Sequence, residues 1–202
     1  MSIFNLFGKK TNKSFNKEIR EEMYRNNTMG YRDNTDKLNY QQVLLDRINA
    51  ASAQYKQDHD LDAVIKEFEY AFITSDPPCK SSQNMKLVDF YIKAGQNDKA
   101  WGYLNKLIVT KEAPIENVRF AQARILKKEK KYVDALEMCL LGNYNKYSFN
   151  DNVFDKDIKT YANKLKLNQD QMDYLKYLVT QCKSESVLID RYNAVIKEWG
   201  LI

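Results

Sequence analysis

One spacing constrains this sequence more than its overall composition does. Val64, Ala100 and Ala135 recur at separations of 36 and 35 residues, and their surroundings recur in step. Nine residues earlier stand Tyr55, Tyr91 and Leu126, and five earlier stand His59, Gly95 and Lys130. Four residues later come Phe68, Leu104 and Cys139. Within each copy, apolar residues fall three and four apart on both sides of a short polar break, the signature of two amphipathic helices joined by a turn. A helical pair of this size cannot bury its apolar face alone, so copies must stack on one another.

The pattern also sets boundaries. Leu38, Gln41, Leu45, Ile48, Ser52 and Tyr55 predict one face of a long helix from Asp36 to about Gln57. Its partner runs from Leu61 to about Ile73 with Val64, Phe68, Ala71 and Phe72 inward. Asp76-Pro77-Pro78 stops it, because proline lacks a donor and pushes its predecessor out of the helical region. The second copy covers Gln83–Ala94 and Asp98–Val109, and the third Ile115–Leu126 and Tyr132–Leu141, with Gly142 expected as a left-handed cap. The stretch 145–152 reads as a polar loop. Three further helices follow: Val153–Leu165, one opened by a capping box of Asn168 with Gln171, and one starting at Ser184. The last, residues 184–199, is amphipathic and is expected to cap the open end of the stack. A dimerisation helix is the competing reading.

A Tyr in the first helix, a small residue where two helices cross, a bulky residue one turn later and a terminal Pro resemble the tetratricopeptide repeat, whose period is about 34. The resemblance covers about half of the chain in three degenerate copies. The family's Trp is missing from every first helix, its turn Gly survives only as Gly95, and Val64 replaces the usual Ala. What the resemblance implies is an all-α superhelix of antiparallel helical hairpins over residues 36–148. A basic arm, 1–35, precedes it, and C-terminal helices in 149–202 complete and cap it. It also implies a non-catalytic protein-interaction module whose first helices line a concave groove for a partner segment. Carried over by position, the groove residues are Asn49, Ala53, Lys56, Met85, Asp89, Lys93, Phe120, Arg124, Lys127 and Lys128. Phe120 and Met85 are apolar anchors there, while Arg124 and the lysines suit an acidic protein or peptide partner.

Composition agrees with helices. Six Gly and three Pro in 202 residues are too few for the turns of an ordinary β-architecture. Cys79, Cys139 and Cys182 are odd in number and widely spaced, which argues against a disulfide framework or a zinc site and for a reducing, cytoplasmic setting. No phosphate-binding loop, dinucleotide fingerprint, zinc-protease helix or nucleophile elbow is present, so neither an enzyme nor a cofactor is expected. His59, the single histidine, lies between Asp58 and Asp60 and reads as a turn residue in the repeat register.

Charge is placed unevenly. Arg119, Arg124, Lys127, Lys128, Lys130 and Lys131 surround the single acid Glu129, a local net charge equal to the +5 of the whole chain. A solvated helix face accounts for this patch, and nucleic-acid binding through residues 119–131 is the alternative. At the amino end, Ile3, Phe4, Leu6 and Phe7 precede Lys9, Lys10 and Lys13, an order unlike a secretory signal. Residues 1–10 could touch an anionic membrane weakly, dock on the array, or remain a tail. A short helix is expected from Ser14 to Arg25.

Overall fold

The computed structural model of the protein describes residues 34–146 and 150–202. The expected helix at Ser14–Arg25 and the apolar tip at residues 1–10 lie outside the described residues. Among those described there are nine α-helices and no strand: α1 (Asn34–Asp58), α2 (Leu61–Glu69), α3 (Asn84–Lys93), α4 (Asn97–Thr110), α5 (Ile115–Lys128), α6 (Tyr132–Tyr144), α7 (Asp151–Leu165), α8 (Gln169–Gln181) and α9 (Glu185–Glu198). None of them is long and apolar enough to cross a membrane.

By its internal contacts the chain divides into two units, residues 1–47 and 48–202, with the boundary inside α1. In the first, Leu44 is fully buried and Gln42 Nε2 donates to Asp46 Oδ1 at 2.9 Å along the helix. The expected stripe holds at Ile48, which is fully buried, but Leu44 takes the place expected of Leu45, which is only half-buried.

In the second unit, sequence-adjacent helices pack on each other. α5 and α6 make the most extensive contact, followed by α6 with α7, α3 with α4, α2 with α3, and α4 with α5. First helices also lie side by side, as α3 meets α5. The core positions read from the repeat are buried: Val64, Phe68, Leu87, Tyr91, Ala100, Leu104, Leu126, Ala135 and Cys139. At the crossing points, a small residue lets two backbones approach closely enough for ridges to enter grooves.

The turns carry the repeat in the backbone itself. His59, Gly95, Lys130, Lys166 and Gly200 have positive φ, at 57°, 73°, 61°, 57° and 68°; Lys111, at the end of α4, also has positive φ (55°) but lies outside this register. The first five are separated by 36, 35, 36 and 34 residues. Four of the five close the same pair of bonds, in which the turn N–H reaches back three residues and the next N–H reaches back five. The pairs are Gly95 to Ile92 with Gln96 to Tyr91, and Lys130 to Lys127 with Lys131 to Leu126. They continue with Lys166 to Asn163 and Leu167 to Ala162, and with Gly200 to Lys197 and Leu201 to Ile196. This is the Schellman closure of a helix end, which satisfies carbonyls that would otherwise lack donors. The first turn differs, because His59 N–H bonds Tyr55 O at 2.9 Å in the simpler left-handed cap.

The ends of α2 and α6 depart from expectation. α2 stops at Glu69 and continues as a single π turn, Tyr70–Thr74, whose widened carbonyls find other donors. Ser75 N–H reaches Tyr70 O, Cys79 N–H and Ser75 Oγ reach Ala71 O, and Lys106 Nζ reaches Phe72 O. Gly142 does not end α6, which runs on to Tyr144. A Cβ there would sit 2.9 Å from Phe120 Cε1, so the residue is small to admit a ring and not to allow a left-handed turn.

The C-terminal helices share one core with α5 and α6. Phe154, Ile158, Tyr161, Leu175, Leu178, Leu188, Tyr192 and Ile196 pack with Leu136, Cys139 and Leu140. α7, α8 and α9 all contact α6, which is central to this group. The expected capping box opens α8, with both Asn168–Gln171 bonds at 2.9 Å, and Ser184 accepts from Val187 N–H to open α9. α7 begins at Asp151, two residues earlier than the periodicity suggests, because Asn150 Oδ1 accepts from Val153 N–H and fixes the start.

Candidate functional site

The first helices of the hairpins bring most of the groove positions onto neighbouring helices. On α1, Asn49, Ala53 and Lys56 are exposed. On α3, Lys93 is exposed and Met85 and Asp89 are half-buried. On α5, Arg124, Lys127 and Lys128 are exposed, and Phe120 is half-buried.

Several of these side chains join one first helix to the next. Gln83 Nε2 donates to Asn49 Oδ1 at 3.1 Å, linking α3 to α1. The Lys93 ammonium lies over the rings of Tyr55 and Phe90, 5.4 and 5.6 Å from their centroids. Tyr55 and Phe90 meet edge to face at 5.1 Å. Between α3 and α5, Arg124 Nη2 stands 2.7 Å from Asp89 Oδ1, and Lys128 Nζ donates to the carbonyl of Ile92. These contacts use polar atoms to set the lateral spacing of the helices. They leave Ala53, Lys56, Met85 and Lys127 as the positions whose outward atoms are most open to a partner.

Phe120 is placed elsewhere. Its ring lies against Gly142 of α6, and Lys146 Nζ sits 4.8 Å from the ring centroid. Lys146 is in turn held by Asp157 Oδ2 at 2.6 Å. Phe120 therefore serves the junction of α5, α6 and α7, and the sequence signal for that was the Gly142 one helix away.

The basic segment 119–131 is broken up by its own neighbours. Arg119 pairs with Glu185 of α9 at 3.1 Å, Arg124 with Asp89, and Lys131 with Glu129 at 2.8 Å. The bond from Lys131 holds the Glu129 carboxyl below its usual range. Lys127, Lys128 and Lys130 remain exposed.

Among the described residues, no ligand set converges on His59. Asp58 Oδ1 accepts from Asp60 N–H at 3.0 Å, and Asp60 Oδ1 accepts from Ala63 N–H at 3.0 Å. Both carboxylates thus cap backbone, and the imidazole meets Tyr55 edge-on at 5.7 Å. The bond to Asp60 N–H is the main reason the Asp58 carboxyl lies below its usual range. Among the described residues, no three His, Cys, Asp or Glu side chains gather as a metal-binding group. The thiols of Cys79, Cys139 and Cys182 are buried and free, and burial raises those of Cys79 and Cys139 above the ordinary range, away from nucleophilic character.

The second helices present a separate surface. Lys99 Nζ of α4 and the buried Tyr91 OH of α3 both reach Glu69 Oε1 of α2 at 2.9 Å. On α8, Tyr174 and Tyr177 are exposed, with ring centroids 6.1 Å apart, and Tyr174 meets Trp199 at 6.3 Å. Beside them a depression of ≈ 470 Å³ opens between the start of α8 and the end of α9. Periodicity did not single out Tyr174 or Tyr177, because aromatic residues at helical spacing look the same whether covered or open.

The chain matches no protein-family model, no curated protein and no solved structure.

Proposed function

We propose that this protein is a tetratricopeptide-like repeat protein of superhelical architecture, and that it works without catalysis. It binds an acidic protein or peptide segment along the first helices α1, α3 and α5. The observation that carries the reading is the left-handed turn recurring every 34 to 36 residues, with the same closing bonds in four of its five occurrences. Turns in register bring first helices side by side, and a row of parallel helices offers one continuous face to an extended chain. The lateral contacts through Asn49, Asp89, Lys93, Arg124 and Lys128 support a rigid face, and a pre-organised face loses less entropy on binding. Lys56 and Lys127 supply unshielded positive charge at its two ends. The free, buried thiols support a reducing, cytoplasmic setting.

Nucleic-acid binding is the weaker reading, since Arg119, Arg124 and Lys131 are held by carboxylates of the chain itself. Three cations that already have partners release fewer counterions on meeting phosphate.

The test is fluorescence anisotropy with a labelled peptide of alternating Glu and Leu. Binding should weaken about fivefold in the Lys56→Glu, Lys127→Glu double variant, which touches no lateral contact. An unchanged affinity, or no binding by the parent protein, would overturn the reading.

A further inference from the structure

Gly200 closes α9 with the same bonds that Gly95 closes α3 and Lys130 closes α5. After those earlier turns, a second helix returns along the first, as α4 does on α3 and α6 on α5. Among the described residues no helix follows Gly200. The place such a helix would take lies beside α9 and next to the preceding second helix, α8.

That place is where the open depression lies. Asp170 and Tyr174 line it from α8, and Val195, Glu198 and Trp199 line it from the end of α9. Register shows how this place differs from its counterparts. Tyr174 stands eight residues after its turn at Lys166, as Tyr103 does after Gly95 and Met138 after Lys130. Tyr103 is 5% exposed and Met138 is half-buried, but Tyr174 is 40% exposed. Tyr177 on the next turn is 53% exposed. A pair of tyrosines and a tryptophan at the edge of a concave surface is the composition of an interface centre.

Charge specifies the occupant. Asp170 and Glu198 are the charged residues of the depression, both acidic, in a chain whose net charge is +5. A helix entering in the manner of α4 and α6 would bring its amino end to this pair of carboxylates, where the positive end of its dipole is favoured. Lysines or arginines flanking its apolar stripe would gain the same carboxylates and the aromatic faces.

We propose that the α8–α9 surface takes an amphipathic helix of a partner protein, with a Leu-rich stripe and basic flanks, in the position of a second helix of the next hairpin. This site is distinct from the α1–α3–α5 face and does not depend on it.

The experiment uses the full chain and three synthetic peptides: an amphipathic Leu/Lys helix, the same composition scrambled to destroy the stripe, and a Leu/Glu helix of the same pattern. Binding is followed by anisotropy of the labelled peptide and by tryptophan emission. The Leu/Lys helix should bind at least about tenfold more tightly than either control, and Tyr174→Glu should weaken it about tenfold. Asp170→Asn with Glu198→Gln should weaken it about threefold and flatten its salt dependence. Circular dichroism of each variant checks folding, and Tyr177→Glu, farther out on α8, provides a second probe of the same surface. Equal binding of all three peptides, or binding indifferent to both tyrosine variants, would overturn the proposal. So would a self-association of the chain that Tyr174→Glu abolishes, since the surface would then belong to a second copy.

Discussion

Lys130 and Lys166 occupy equivalent turns, with φ of 61° and 57° and the same closing bonds, but the hairpins they join are packed differently. α5 and α6 lie against each other along much of their length, whereas α7 and α8 touch sparingly and each leans on α6. Side chains at the crossing account for this. Ala135, with Ala121 and Ala123 buried on α5, lets the first pair close up. Its counterpart after Lys166 is Gln171, whose side chain is turned back to the Asn168 N–H as part of a capping box. The backbone turn therefore fixes where the chain reverses, and the residue five positions later decides how close the two helices come.

The largest effect expected from this contrast is at the crossing itself. Ala135→Leu should cost about 2–3 kcal/mol in chemical denaturation, because extra methylenes at a fully buried contact force the helices apart. Gln171→Leu should cost less than about 1 kcal/mol, the value of half a capping box. Equal losses at the two sites would break the comparison.

Much of this was readable in the residues, and the limits have physical causes. The three copies announced themselves through Val64, Ala100 and Ala135, because close helix crossings select small side chains. The fourth turn, at Lys166, gave no such signal: it has neither a glycine in the turn nor a small residue at the crossing. Gly142 was misleading in the opposite direction, since a glycine needed to admit Phe120 looks the same in sequence as one needed for positive φ. The π turn after Glu69 depends on distant donors such as Lys106, which no local pattern reveals. Groove positions on α1, α3 and α5 were placed on neighbouring helices by register, but their mutual pairing, Arg124 with Asp89 above all, is a consequence of stacking.

A smaller effect sharpens the account of α5 and α6. Gly142→Ala should lose about 1 kcal/mol overall, the crowding against Phe120 outweighing the gain in helix propensity. In a Phe120→Leu background the same change should stabilise by about 1 kcal/mol, because only the propensity gain is left. Thermal melts of the four proteins give the sign directly.

The smallest effect tests the half of the comparison in which the two hairpins agree. Lys130→Gly and Lys166→Gly should each stabilise by about 0.5–1 kcal/mol, by relieving a left-handed backbone that a side chain disfavours. Gly95→Ala should destabilise by a similar amount through φ alone, as no atom lies within 4 Å of the added carbon. Opposite signs for Lys130 and Lys166 would show that the turns are not equivalent.

The three buried cysteines have a practical consequence. Cys79 lies ahead of α3, Cys139 within α6 and Cys182 at the end of α8, so each marks a different stretch of the stack. Their exposures of 5%, 1% and 9% keep all three from an added thiol reagent in the closed state. The rate at which each becomes labelled then reports how often its own stretch opens, on a scale running from fraying ends to global unfolding. The protein carries its own set of local clocks, with Cys139, at the helix on which the others converge, expected to run slowest.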